Sequence, residues 1–186
     1  MNNEIVMAGF GGQGVLLIGK LMAYAGMKAG HEVTWMPSYG PEMRGGTCNC
    51  TVVLSDQPIG SPISKRPHAL IVLNLPSLDK FEDSVRPGGI IVVNTSLINR
   101  LPRRTDVTVV PVAANEIAVE LGNAKAANMV ALGAYLGASG VVDRDNVNEV
   151  LAEAFASRPK VVATNQQALQ RGYEIGQAQS VAVASR

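Results

Sequence analysis

A glycine-built turn set between a short strand and a helix constrains this chain more than any other stretch. Residues 4–8 (Glu-Ile-Val-Met-Ala) read as a buried strand. Gly9, Gly11 and Gly14 then follow the G-x-G-x-x-G spacing, and residues 15–29 read as a helix. Such a turn lets the backbone pass close to a bound group. It also aims free N–H groups and the positive end of a helix at an anion, most often phosphate. Glycine is required where φ turns positive or two segments nearly touch. The alternative is a tight strand–helix turn that binds nothing.

The chain has 186 residues, which suits one α/β domain spanning 1–186 with a sizeable core. A net charge of +1 gives no electrostatic case for nucleic acid or for a membrane surface. No apolar run reaches the roughly 20 residues of a membrane span. The first residues, Met-Asn-Asn-Glu, lack the pattern of a signal peptide, so a cytoplasmic location is expected. Charged residues make up 17% of the chain, against about 25% in ordinary soluble domains, which points to surface covered by other subunits. A Gly- and Ala-rich surface is the plainer explanation. Cys48 and Cys50 are the only cysteines, two apart on one strand face. An iron–sulfur cluster takes four thiolates, so these two read as small core or semi-exposed thiols.

Along the chain, the first helix is apolar almost all round, with Lys20, Tyr24 and Lys28 as one narrow polar stripe, and Gly30 ends it. Residues 31–36 read as the second strand. A dinucleotide fold wants an acid at the end of that strand, whereas Glu32 stands near its beginning, so nicotinamide binding is disfavoured. Residues 37–49 form a Gly- and Pro-rich connection too short for a full crossover helix, which predicts that the third strand, residues 50–55, runs antiparallel. That connection carries Ser38, Tyr39, Gly40, Arg44, Gly45 and Gly46, and a loop so composed is either functional or a long hairpin link. Residues 69–74, 90–94 and 107–112 read as further buried strands, and Pro76 opens a helix that turns Leu78, Phe81 and Val85 inward. Asn74 and Asn94 close parallel strands, where open sheets place ligands. Helices are expected over 114–121, over 125–138 with small residues suited to close helix contact, after an Asp143 cap, and from a Thr164/Gln167 capping box to about residue 179. The last seven residues are expected to fray. His31 and His68 have no nucleophile partner, and no carboxylate pair stands out, so the chain reads as a binding or assembly subunit.

Four stretches, Gly9-Phe10-Gly11-Gly12-Gln13-Gly14, the Ser38-to-Gly46 run S-Y-G-P-E-M-R-G-G, residues 55–62 and Leu73-Asn74, together resemble the gamma subunit of 2-oxoacid:ferredoxin oxidoreductases. The similarity covers about residues 4–175. His68 departs from it, standing where an acidic residue is expected. The resemblance implies a three-layer, Rossmann-like α/β domain with a mostly parallel sheet, one antiparallel strand and helices on both faces. It also implies a complex that oxidatively decarboxylates a 2-oxoacid, foremost 2-oxoglutarate, with pyruvate and branched-chain acids close behind. Such a complex forms acyl-coenzyme A and reduces ferredoxin. Thiamine diphosphate and iron–sulfur clusters would reside on alpha and beta subunits or on a ferredoxin-like delta subunit, and this chain would carry no catalytic or metal-binding residues of its own. Isolated, it could pair as a homodimer.

On that resemblance Gly11, Gly12, Gln13 and Gly14 would present N–H groups to coenzyme A or to a partner loop. Ser38, Tyr39, Gly40, Arg44, Gly45 and Gly46 would form the second half of the site, with Arg44 supplying a cation. Both segments follow strand ends, so they are expected on one rim of the sheet. An independent nucleotide-binding module and a purely structural subunit are the competing readings.

Overall fold

The computed structural model describes residues 1–39 and 46–184, with the backbone only for Tyr39 and for residues 182–184. Six strands form one sheet: β1 (Asn2–Phe10), β2 (Glu32–Tyr39), β3 (Thr47–Ser55), β4 (Ala69–Val72), β5 (Ile90–Asn94) and β6 (Thr108–Val112). Their spatial order is β2-β3-β1-β4-β5-β6. β1, β4, β5 and β6 pair in parallel, while β3 runs antiparallel to both β1 and β2, as the short connection before it requires. This order sets β3 between β1 and β2, which a dinucleotide-binding fold would pair directly.

Alternation along the central strands feeds two cores. Ile5, Met7, Ile71 and Val92 face one layer, built from α1 (Val15–Lys28), α3 (Ala114–Glu120), α4 (Ala127–Ser139), α5 (Arg144–Ala154) and α6 (Pro159–Ala184). Val6, Ala8, Leu70, Val72, Ile91 and Val93 face the other, closed by Leu78 of α2 (Leu75–Phe81), Val85 and Ile98. Helices therefore cover both faces, unequally. The polar stripe of α1 is confirmed, and Lys28 at its end reaches Glu149 and Glu153 of α5 at 3.1 and 2.7 Å. Cys48 and Cys50 are buried against α1. A Cβ at Gly19 would strike the Cys50 sulfur, so the glycine is what lets α1 lie on β3.

Several boundaries differ from the sequence reading. β2 continues through Pro37 to Tyr39 and β3 begins at Thr47, so the connection narrows to residues 40–46. β2 is an edge strand, where a proline's missing N–H is tolerated. The last helix starts at Pro159, which suits a first helical turn. Thr164 lies inside it, donating its hydroxyl to the Lys160 carbonyl at 3.0 Å, and caps nothing. The helix runs on to Ala184, past the expected end and through residues expected to fray.

The small residues of α4 are used within the chain. Gly133 and Gly137 lie against the backbone of α6 at Leu169 and Tyr173, and Gly172 and Gly176 lie against Val130 and Ala134 of α4. A Cβ at any of the four would fall on a carbonyl oxygen well inside van der Waals contact. Among the described residues no helix is long and apolar enough to cross a membrane.

Candidate functional site

The glycine turn hangs from the C-terminal end of β1 and opens α1. Gly12 and Gly14 have φ of 102° and 77°, the left-handed region that other residues avoid. Gly14 is the residue before the first helical turn, and no side chain caps the exposed N–H groups behind it. Gln13 holds the turn together. Its N–H donates to the Phe10 carbonyl at 3.1 Å, and its side-chain oxygen accepts from Phe10 N at 2.6 Å. Its amide nitrogen donates to the Leu73 carbonyl at 3.2 Å. A Cβ at Gly9 would stand 2.6 Å from that Gln13 oxygen, so Gly9 makes room for the clasp.

The second predicted segment reaches the same rim. Gly11 N–H donates to the Gly46 carbonyl at 2.9 Å, and Phe10 pairs with Thr47 in the ladder. Ser38 and Tyr39 sit at the end of β2, paired with Asn49 and Cys48. Gly40, Arg44 and Gly45 lie outside the described residues. Of the four turn residues, Gly11 and Gln13 thus use their N–H groups within the fold, while those of Gly12 and Gly14 have no partner among the described residues.

The expected strand-end asparagines extend this rim as structural members. Asn74 accepts from Ser77 N at 2.9 Å, capping α2, and donates to the Gln13 oxygen at 3.2 Å. Asn94 donates to Asn115 at 2.8 Å and accepts from Ala114 N at 3.2 Å. Sequence reasoning missed Asn115, Lys125 and Asn128. Asn128 donates to the Gly14 carbonyl at 3.2 Å, pinning the end of the turn to α4. These side chains sit far along the chain from their partners, and only an Asn at the start of a helix hinted at them.

Two clefts flank the turn. One of about 170 Å³ is polar, lined by Gly12, Gln13, Asn94, Asn115, Lys125 and Asn128. The other, about 260 Å³, is lined by Phe10, Gly11, Gly14, Leu16, Leu17 and Cys48 and is largely apolar. An edge with open backbone donors, an ammonium on one side and an apolar wall on the other can receive an anionic group carrying an apolar arm. Among the described residues it offers no nucleophile–base pair. Cys50 is fully buried, its thiol pushed up to about 12 by burial, and it donates to the Val15 carbonyl. Among the described residues no three His, Cys, Asp or Glu side chains come together as a metal site. This donor set does not fit an iron–sulfur cluster.

Residues 4–175 match the pyruvate ferredoxin/flavodoxin oxidoreductase family. The chain is 41% identical over 173 residues to ketoisovalerate oxidoreductase subunit VorA of Methanothermobacter thermautotrophicus, covering 92% of this chain but 36% of that one. It is 33% identical to 2-oxoglutarate synthase subunit KorC of Methanocaldococcus jannaschii, covering 94% of each. The fold superposes on the gamma subunit of a keto/oxoacid ferredoxin oxidoreductase from Geobacter sulfurreducens with a TM-score of 0.81 and 30% identity, covering 95% of this chain and 99% of the other. It also superposes on the 2-oxoglutarate:ferredoxin oxidoreductase of Magnetococcus marinus with 2-oxoglutarate, coenzyme A and succinyl-CoA bound. There the TM-score is 0.87 and the identity 25%, covering 95% of this chain and 31% of that one.

Proposed function

We propose, for a chain that belongs to the pyruvate ferredoxin/flavodoxin oxidoreductase family, that it is the gamma subunit of a complex converting a 2-oxoacid and coenzyme A to acyl-coenzyme A and CO2 while reducing ferredoxin. In this reading residues 1–186 are one functional domain of the assembly. The alpha and beta subunits, with a ferredoxin-like delta subunit where there is one, hold thiamine diphosphate and the iron–sulfur clusters. The chain itself contributes to coenzyme A binding and to assembly in the cytoplasm.

The observation that carries the reading is the hydrogen bond from Gly11 to Gly46, which joins the glycine turn to the end of the Arg44 segment on one sheet edge. Open N–H groups at Gly12 and Gly14, with Lys125 beside them, suit the phosphates of coenzyme A. The apolar cleft at Leu16 and Leu17 suits its pantetheine arm. Two substrates compete. 2-Oxoglutarate is favoured by the relative that matches end to end, and ketoisovalerate by the one with the higher identity. Purification of the native assembly, with each 2-oxoacid tested for coenzyme A-dependent ferredoxin reduction, decides between them. A lone chain that turns over substrate would overturn the subunit assignment.

A further inference from the structure

The opposite edge of the sheet carries a second polar cavity, of about 210 Å³, at the N-terminal ends of β4 and β5. Its polar lining comes from Asn3, His68, Arg86, Tyr135 and Ser139. We propose that this cup binds a small oxyanion, a phosphate group or a carboxylate.

His68 lines the cavity together with Arg86. The backbone N–H of Glu4 donates to its Nδ1 at 3.3 Å, so that nitrogen keeps its lone pair and a neutral ring carries its proton on Nε2. Burial and the charge of Arg86 hold the imidazole below its usual range, with Glu4 opposing, so the neutral donor form prevails at pH 7. Arg86 is exposed and has no ion-pair partner among the described residues. Glu4, whose charge His68 feels, is engaged by the Ser64 hydroxyl and does not line the cavity. Tyr135 is fully buried and hydrogen-bonded to Ser139, whose oxygen accepts from Val141 N at 3.3 Å. His68, Arg86, Tyr135 and Ser139 thus line one space large enough for an oxyanion and a few waters. Lys65 and Arg66, exposed on the segment leading into His68, add positive charge to the approach.

Phosphate and carboxylate ligands share this chemistry, and titration tells them apart. The full chain, isotope-labelled for NMR, is titrated separately with inorganic phosphate and with acetate. The His68 ring and the backbone amides of Gly88, Gly89 and Ser139 are followed. Saturable shifts at these groups, sharing one dissociation constant and separate from any at Gly12, Gly14 or Lys125, are expected with at least one anion, and the stronger of the two names the ligand class. Arg86→Gln, a surface change that leaves the fold intact, should weaken binding about tenfold, the loss of one charge-assisted contact. The proposal is overturned if neither anion saturates, if Arg86→Gln binds equally well, or if the His68 proton is found on Nδ1. The outcome is independent of coenzyme A binding at the other edge.

Discussion

At the scale of single residues, the site depends on a few positions that admit one side chain. Gly14 combines φ of 77° with the Asn128 amide packed where a Cβ would stand. Gly14→Ala should destabilise the fold by about 2 kcal/mol through left-handed strain and loss of the Asn128 bond. A thermal melt should show it as a Tm lower by several degrees. Away from the site, Glu82 is buried and accepts from Arg100 at 2.6 Å and from Arg103 N at 3.0 Å. The Arg100 guanidinium holds its carboxyl below the usual carboxylate range, outweighing burial. A depressed carboxylate stabilises the fold above the unfolded-state pKa, near pH 4, and that contribution is lost as pH falls through the folded value. Glu82→Gln should therefore lower Tm at pH 7 and flatten the fall in stability below pH 4. Equal pH profiles for the two proteins would remove Glu82 from the account.

At the scale of elements, α4 and α6 approach through reciprocal glycines, two on each helix. Gly172→Ala places a methyl on the Val130 carbonyl and should cost about 3 kcal/mol, since neither backbone can yield cheaply. Gly140→Ala, with open space around it, should lose only what its φ of 61° imposes, and chemical denaturation of both variants measures the difference. How legible each element was in the sequence follows from how local its determinants are. The β1–turn–α1 unit and the antiparallel β3 were readable because glycine spacing, loop length and alternation act over a few residues. The ends of β2 and α6 were not. Pro37 resembles a strand terminator until the strand proves to be an edge, and Thr164 with Gln167 mimics a cap inside a helix that Pro159 has already opened. Asn115, Lys125 and Asn128 were invisible for another reason, because the topology alone brings them to the turn.

At the scale of the whole molecule, the two ends of the sheet's parallel strands differ in character. The glycine edge presents open backbone donors between a polar and an apolar cleft, and the His68 edge presents side-chain donors around a cavity. The chain spans 36% of the VorA chain that it matches and 94% of the KorC chain. A subunit of this kind should bind its cosubstrate with groups that lie on one edge only. Calorimetry with coenzyme A on the assembled complex tests that most directly, comparing the native protein with Lys125→Ala and Arg44→Ala in this chain. The account predicts a dissociation constant raised about tenfold by Lys125→Ala, which removes a charge-assisted phosphate contact, and weaker coenzyme A binding or assembly with Arg44→Ala. Unaltered affinity in both variants would contradict it.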